Sequence, residues 1–274
     1  MEYILLKGAR IPALGFGTWP IHGQECTRAV VSALAIGYRH IDTAQMYGNE
    51  AEIGRAIRQS RVARNNLWLT TKLWRDSLKA RDVRRGVDER WSLLGTDYID
   101  LLLIHWPDPT TPLRETLDAM AEARSAGKVR HIGVSNFPVK LMREVVETIG
   151  ADILCNQVEY HPLLSQKQVT DYARTHDIMI TAYCPLARGR LRDHSLLATI
   201  GRRHGKTLEQ IALRWLIQQP GVAAIPKSTH ANYQQSNFDI FDFQLSADEM
   251  VSIHAAARQQ RLINMSSGAA WDPD

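Results

Sequence analysis

Short apolar runs of the kind that form buried strands alternate along the chain with longer segments of helical spacing. There are eight such runs, at residues 13–19, 39–43, 67–74, 98–106, 131–137, 153–160, 178–185 and 222–228. Regular alternation of strands and helices is typical of a parallel sheet with helical crossovers. Because no linker-like stretch separates the units, they predict one α/β domain over residues 1–274. Its expected fold is a closed (β/α)8 TIM barrel with an N-terminal β-hairpin and a short C-terminal tail.

Residues that commonly start and end helices flank the segments between these runs. In residues 207–218 the apolar side chains fall on one helical face, and Thr207 with Gln210 matches a capping box. Thr111 before Pro112 predicts an N-cap followed by proline at the first helical position. The glycines that predict helix ends are Gly37, Gly127 and Gly150.

An open, doubly wound sheet is the structural alternative to the barrel, and it makes a specific demand on the sequence. Dinucleotide binding on that fold requires G-x-G-x-x-G after the first strand. Gly15 and Gly17 begin this pattern, but Pro20 occupies the position of the last glycine. The sequence therefore favours the barrel, whose active sites lie at the carboxyl ends of the strands.

Polar residues follow the apolar runs at intervals of 22 to 33 residues between Asp42 and Tyr183, which matches the length of a βα unit. We therefore expect these residues to share one rim of the barrel. The polar residues in this phase are Thr18, Asp42, Lys72, His105, Ser135, Asn136, Gln157, Glu159, Tyr183, Lys227 and Ser228.

Asp42, Lys72 and His105, with Tyr47 in the loop after Asp42, form a combination that suits carbonyl chemistry. A tyrosine has a pKa of about 10 and is a poor acid at neutral pH. The Lys72 ammonium is expected to lower the pKa of Tyr47, and the Asp42 carboxylate to hold that ammonium charged. His105 is suited to orienting a carbonyl oxygen or relaying a proton. The alternative is that Asp42 and Lys72 form a purely structural ion pair.

The chain resembles the aldo-keto reductase family from about Ile11 to Glu249. The matching motifs are GFGTW (15–19), HIDTAQMYGNE (40–50), TTKLW (70–74), DYIDLLLIHWP (97–107), IGVSNF (132–137), NQVEYHP (156–162), ITAYCPLARG (180–189) and IPKS (225–228). The resemblance implies that Tyr47 is the general acid, that Asp42 and Lys72 tune it, and that His105 orients the substrate carbonyl. The sequence has no HExxH motif and no clustered Cys and His ligands, so we expect no metal.

The same resemblance implies an extended NADP(H) held without a Rossmann domain. Ser135, Asn136 and Gln157 would hold the carboxamide, and Tyr183 would stack on the nicotinamide. Leu186 and neighbouring backbone would line the pyrophosphate. The implied cofactor residues are Gly17, Thr18, Asp42, Ser135, Asn136, Gln157, Tyr183, Pro185, Leu186, Lys227, Ser228 and Thr229 toward the 2′-phosphate, and Asn237 near adenine.

Three positions of the cofactor motifs depart from the family pattern. Cys184 stands where a serine is usual, and Ser236 where a glutamate is usual. Tyr233 replaces an arginine that would normally clamp the 2′-phosphate, and a tyrosine can stack but cannot pair with charge. We therefore predict that NADPH is preferred through Lys227, less strictly than in the family at large, with NADH tolerated.

Three tryptophans near the rim, Trp19, Trp74 and Trp106, predict a substrate wall together with Tyr47 and His105. An aromatic wall provides shape rather than charge and suits varied aldehydes and ketones. The short tail, in which Trp271 is the candidate lid residue, resembles the bacterial branch of 2,5-diketo-D-gluconic acid and methylglyoxal reductases. The expected partners are therefore small α-dicarbonyls or keto-sugar acids.

Composition limits the remaining classes of function. The chain has 274 residues with 33 Lys and Arg against 29 Asp and Glu, and this net charge of +4 is interrupted by acids, so we expect no nucleic-acid partner. Three widely spaced cysteines exclude a disulfide framework and indicate the reduced cytoplasm. No signal-peptide core and no apolar run of about 20 residues is present, so we expect no membrane partner. We also expect a monomer.

Two other functions stay open at this point. One is a barrel lyase or isomerase with Lys72 as a Schiff base, which would need a lysine without an adjacent carboxylate. The other is an NADP(H)-binding, redox-sensing subunit with little turnover. Subunits of that kind in the family carry extra segments. This chain retains all four catalytic positions, which favours turnover.

Overall fold

The computed structural model describes residues 1–265 and 270–272. An antiparallel hairpin of β1 (Tyr3–Leu6) and β2 (Ala9–Pro12) comes first. An eight-stranded parallel sheet follows, in which each strand pairs with the next along the chain. Its strands are β3 (Phe16–Gly17), β4 (His40–Asp42), β5 (Trp68–Leu73), β6 (Ile99–Ile104), β7 (Val129–Ser135), β8 (Cys155–Glu159), β9 (Met179–Tyr183) and β10 (Val222–Ala224). The predicted hairpin is confirmed, and each predicted run overlaps one strand of the sheet.

The sheet closes on itself where its first and last strands meet. Leu14 forms a parallel bridge with Ala224, and the backbone N–H of Gly15 donates to the carbonyl of Ala224 at 2.8 Å. Two residues further along, the N–H of Gly17 donates to the carbonyl of Pro226 at 3.0 Å. A Cβ on Gly17 would lie 2.7 Å from the carbonyl oxygen of Ile225, so this closure requires glycine. The predicted (β/α)8 fold is confirmed.

Helices pack around the barrel, and most connect one strand with the next. They are α1 (Gly23–Ile36), α2 (Glu50–Ser60), α3 (Ala80–Leu94), α4 (Leu113–Ser125), α5 (Val139–Arg143), α6 (Lys167–Thr175), α7 (Ser195–His204), α8 (Leu208–Ile217), α9 (Ala231–Phe238) and α10 (Ala247–Ala255). Helix α5 continues as a π-helical turn over Glu144–Ile149. None of the helices in the described ranges combines the length and apolar character that a bilayer crossing needs.

Two of the predicted helix starts can be compared with the structure. The Thr207 hydroxyl accepts from the N–H of Gln210, and the Gln210 side chain accepts from the N–H of Thr207, so the capping box is confirmed. The prediction for α4 is wrong by one residue, because Pro112 itself is the N-cap. The Thr111 hydroxyl is instead engaged by the Asp108 carboxylate, to which it donates at 2.8 Å.

The alternation of side chains along the strands separates two apolar layers. Leu102 and Ile104 of β6 point outward into the core shared with the helices. Leu101 and Leu103 belong to a smaller cluster inside the barrel, which Ile11 of the hairpin joins. The hairpin therefore fills one end of the barrel, and the polar residues that follow the strands lie at the other end. The assignment of residues 1–274 to one domain stays a prediction.

Candidate active site

A cavity of about 1030 Å³ opens at the carboxyl ends of the barrel strands. All of the site residues predicted from the sequence line it except Lys72, Ser135 and Thr229. Lys72 is fully buried within β5, Ser135 is the buried last residue of β7, and Thr229 follows Ser228, which does line the cavity. The parallel register therefore brings the predicted rim together around one cavity.

An ion pair between neighbouring strands forms the buried centre of the site. Asp42 ends β4 and is 1% exposed, and Lys72 in β5 is 0% exposed. The Lys72 ammonium donates to Asp42 Oδ1 at 2.5 Å, to the carbonyl of Thr43 at 2.8 Å and to the Tyr47 hydroxyl at 3.4 Å. The Gln157 amide donates to the second carboxylate oxygen, Asp42 Oδ2, at 2.7 Å. The ammonium thus connects the buried carboxylate with the phenol.

Tyr47 lies in a 3₁₀ turn after β4, half-buried in the cavity wall. Its ring centroid is 5.2 Å from that of Trp19 and 5.6 Å from that of His105. Burial, followed by the Asp42 charge, raises the pKa of Tyr47 well above 10. This direction is opposite to the predicted lowering, because loss of solvent and the nearby carboxylate both favour the protonated phenol. The phenol therefore keeps its proton at neutral pH.

His105 follows β6 directly and lies between two aromatic rings of the cavity wall. It is 6% exposed, and its ring centroid is 5.1 Å from that of Trp74. Burial, followed by the Lys72 charge, holds the pKa of His105 well below 6.5. The imidazole is therefore neutral at physiological pH. A neutral imidazole beside a phenol can form a hydrogen bond with a carbonyl oxygen without adding a charge.

These two pKa shifts predict the acid side of the pH profile. His105 is neutral above its lowered pKa, and Tyr47 stays protonated below its raised pKa, so neither group changes state between pH 8 and 6.5. We expect kcat/KM for carbonyl reduction to stay constant over this interval when it is measured at saturating cofactor. A fall in kcat/KM as the pH is lowered from 8 to 6.5 would show that the site needs a group that titrates there.

Amide and hydroxyl groups from three strands line the cavity next to the ion pair. Asn136 follows β7 at φ 64°, a left-handed conformation that asparagine adopts more readily than most residues. Its side chain accepts from the Tyr183 hydroxyl at 2.8 Å and donates to the carbonyl of His105 at 2.9 Å. The Ser135 hydroxyl donates to the carbonyl of Gln157 at 2.8 Å. Ser135 therefore supports the neighbouring amides from behind the wall.

The opposite end of the cavity is lined by the residues that follow β10, by the start of α8 and by α9. Lys227 is exposed at the wall, whereas Ser228 and Asn237 are largely buried there. Tyr233, at the position where the resemblance leads us to expect arginine, is 64% exposed and also lines the cavity. Glu209 of α8 lines the same cavity and was not singled out from the sequence. Burial raises the pKa of the Cys184 thiol, so this side chain remains a weak, neutral donor.

The C-terminal segment adds a second wall that the sequence analysis did not predict. Ile263 and Met265 line the cavity. The Glu159 carboxylate accepts from the backbone N–H of Leu262 at 2.7 Å and from that of Ile263 at 2.8 Å. His161 Nε2 lies 2.9 Å from the same carboxylate, and both side chains are 0% exposed. A buried acid in the NQVEYHP motif is the signal that could have revealed this attachment.

The candidate lid residue, Trp271, also lies against the site. Its ring meets that of Trp106 edge to face with centroids 6.2 Å apart, and the Arg261 guanidinium lies 3.7 Å from its centroid. The Asp272 carboxylate accepts from the N–H of Val139 at 2.7 Å. The tail is therefore attached to the barrel at Leu262 and Ile263 and again at Asp272. Residues 266–269 lie outside the described ranges.

This fold and site define a barrel oxidoreductase, and known proteins identify its family. The model of the Aldo/keto reductase family matches residues 13–258. An aldo-keto reductase from Mycobacterium sp. (strain KMS) is 41% identical over 259 residues, which cover 94% of each chain. Methylglyoxal reductase DkgB from Salmonella typhi is 39% identical over 266 residues, 96% of this chain and 99% of its own.

A crystal structure with the provisional designation 2,5-diketo-D-gluconic acid reductase B has a TM-score of 0.96 and 45% identity. The match covers 100% of this chain and 98% of that one. The chain belongs to the aldo/keto reductase family. The resemblance noted from its motifs is confirmed, and the protein is an oxidoreductase.

Proposed function

We propose that this protein reduces aldehydes and ketones to alcohols, with NADPH as the hydride donor and Tyr47 as the general acid. The observation that carries the proposal is the contact of one buried ammonium with both Asp42 and the Tyr47 hydroxyl at the cavity wall. The neutral imidazole of His105 beside the phenol completes a group suited to a carbonyl oxygen. Lys72 as a Schiff base is disfavoured, because its amine is paired with a carboxylate and fully buried.

The donor groups of the cavity fit a nicotinamide dinucleotide. Asn136 and Gln157 provide amides for the carboxamide, and the Tyr183 ring lies beside them for the nicotinamide. Pro185 and Leu186 line the middle of the cavity, and Lys227 and Ser228 provide a cation and a hydroxyl for the 2′-phosphate. Thr229 and Asn237 would support that end of the nucleotide.

The proton step follows from the contacts of Tyr47. Bound NADPH would supply the hydride that reaches the carbonyl carbon. Tyr47 would donate its proton to the carbonyl oxygen while His105 orients that oxygen. The Lys72 ammonium would stabilise the resulting phenolate across the 3.4 Å contact, and Asp42 would hold the ammonium in place. This arrangement explains how a tyrosine with a raised pKa can still act as an acid.

The substrate class is proposed from the walls and from the relatives. Trp19, Trp74 and Trp106 supply apolar aromatic surface on one side, and the tail supplies Ile263 and Met265 on the other. Such walls suit small carbonyl compounds of varied shape. The relatives named for methylglyoxal, glyoxal and 2,5-diketo-D-gluconic acid support small α-dicarbonyls and keto-sugar acids as substrates. We further propose that the protein acts as a cytoplasmic monomer without nucleic-acid or membrane partners.

A carbonyl panel with each cofactor tests the proposal. We expect oxidation of NADPH, followed at the nicotinamide absorbance, with methylglyoxal, glyoxal and 2,5-diketo-D-gluconate. We also expect a higher kcat/KM with NADPH than with NADH. Equal values with the two cofactors would contradict the preference for NADPH. Tight NADPH binding without turnover of any carbonyl would instead support the redox-sensing alternative.

A further inference from the structure

The far end of the cavity, where the adenosine is proposed to bind, has a carboxylate as well as an amine. Glu209 lies in the first turn of α8. It lines the cavity together with Lys227, Tyr233, Ser236 and Asn237. Glu209 is exposed, so its carboxylate is accessible to a ligand in the cavity. A group that binds here therefore encounters both signs of charge.

The Glu209 carboxylate is not engaged by the protein itself. Among residues 1–265 and 270–272 it has no hydrogen-bond or ion-pair partner. Nearby basic side chains have other partners, since Lys206 pairs with Asp242 at 2.7 Å and Arg202 donates to the Thr199 hydroxyl at 2.9 Å. The start of α8 is already capped by Thr207 and Gln210, so the helix does not depend on Glu209.

A carboxylate without a protein partner interacts differently with NADPH and with NADH. A phosphate monoester carries about −1.5 to −2 charges at neutral pH, which a neighbouring carboxylate repels. A free ribose 2′-hydroxyl can instead donate a hydrogen bond to the carboxylate, as it does to acidic residues in NAD sites of other folds. Tyr233 adds no positive charge at this end of the cavity, where Lys227 and Glu209 contribute one charge of each sign. The arginine that lines the cavity, Arg188, contacts Cys184.

We infer that Glu209 is a specificity-determining residue that lowers the preference for NADPH and allows NADH to bind the same cavity. Its carboxylate opposes the attraction of Lys227 for a 2′-phosphate and accepts the 2′-hydroxyl of NADH. This inference rests on the proposed function, because it assumes that a nicotinamide dinucleotide occupies the cavity. It goes beyond that function by assigning the cofactor range to one residue.

Calorimetric titration of the purified protein with NADPH and with NADH tests the inference without turnover. We expect Glu209→Gln to tighten NADPH binding about fivefold and to weaken NADH binding about twofold, so that the ratio of the two Kd values shifts about tenfold. The gain for NADPH should shrink in about 0.5 M salt, because screening reduces the repulsion that the substitution removes.

Asp248→Asn is the matched control. Asp248 also lies in the first turn of a helix, α10, and is exposed, but it does not line the cavity. The substitution removes the same charge at an equivalent helical position, so the Kd ratio should stay within about twofold of the original. A similar shift in both variants would show that only net charge matters, which would overturn the inference.

The remaining outcomes separate the inference from the proposed function. If both dinucleotides bind the original protein and Glu209→Gln leaves their Kd ratio unchanged, the inference fails and the proposed function stands. If Glu209→Gln changes both affinities by the same factor, Glu209 does not discriminate and the inference also fails. If neither dinucleotide binds the original protein, the proposed function fails and the inference fails with it.

Discussion

Replacement of Tyr47 by phenylalanine is expected to lower kcat for carbonyl reduction about 10²- to 10⁴-fold, the range that a general acid contributes. The substitution removes only the hydroxyl that contacts the Lys72 ammonium at 3.4 Å. The ring should keep its contacts with Trp19 and His105, so NADPH affinity should be nearly unchanged. Steady-state kinetics and calorimetric titration with NADPH measure the two quantities on the same preparation.

Tyr183→Phe provides the control for loss of a hydroxyl in the same cavity. The Tyr183 hydroxyl donates to Asn136 and has no contact with Lys72. Its removal is expected to weaken cofactor binding and to leave kcat within about tenfold of the original. If Tyr47→Phe retained most of its activity, Tyr47 would not be the general acid.

The second large effect is expected for Lys72→Met. The methionine side chain fills a space similar to that of lysine, but the substitution leaves the Asp42 carboxylate buried without its cation. Loss of one partner of a buried ion pair costs about 3–5 kcal/mol, so the free energy of unfolding should fall by that amount. The phenolate of Tyr47 also loses its stabilising charge, so kcat should fall about 10²-fold or more. Denaturant unfolding and steady-state kinetics measure the two effects.

The double variant Asp42→Asn with Lys72→Met separates stability from catalysis. Asparagine removes the unpaired charge and retains an oxygen that can accept from Gln157. Replacement of a buried ion pair by neutral groups is often tolerated, so most of the lost stability should return. Activity should not return, because the ammonium beside Tyr47 is still missing. If the double variant were active, the Asp42–Lys72 pair would have only a structural role.

The fold was largely predictable because strands and helices impose periodic patterns on the sequence. Each apolar run overlaps a strand, and a one-residue phase error would have moved Lys72 to the opposite face of β5. The hairpin and the capping box of α8 are confirmed for similar local reasons. The start of α4 was misplaced because Thr111 has a competing partner three residues earlier, and such competition depends on the conformation of the loop.

The site was predictable as far as it depends on strand ends. The position of each polar residue after a strand determines which residues share the rim, and the motifs assigned roles to them. The direction of the Tyr47 pKa shift was not predictable, because it depends on how much solvent the surrounding walls exclude. Glu209 was missed because it belongs to a helix start on the outer ring and reaches the cavity only through the packing of α8.

The tail was missed for a different reason. Residues 258–265 have no periodic pattern, and their attachment depends on Glu159, which lies about 100 residues earlier in the sequence. Separations of this size are determined by the closed barrel and not by local sequence. His161, two residues after Glu159, has its side chain buried against the same carboxylate.

Glu159 binds the tail by accepting hydrogen bonds from the main-chain N–H groups of Leu262 and Ile263. A carboxylate that recognises backbone amides accepts many different side chains at the same positions. Substitutions at Ile263 and Met265 could therefore reshape the substrate wall while the anchor and the proton-donating group stay intact. The tail therefore tolerates side-chain substitutions that the strand ends do not. Such substitutions change substrate specificity while the catalytic residues stay the same.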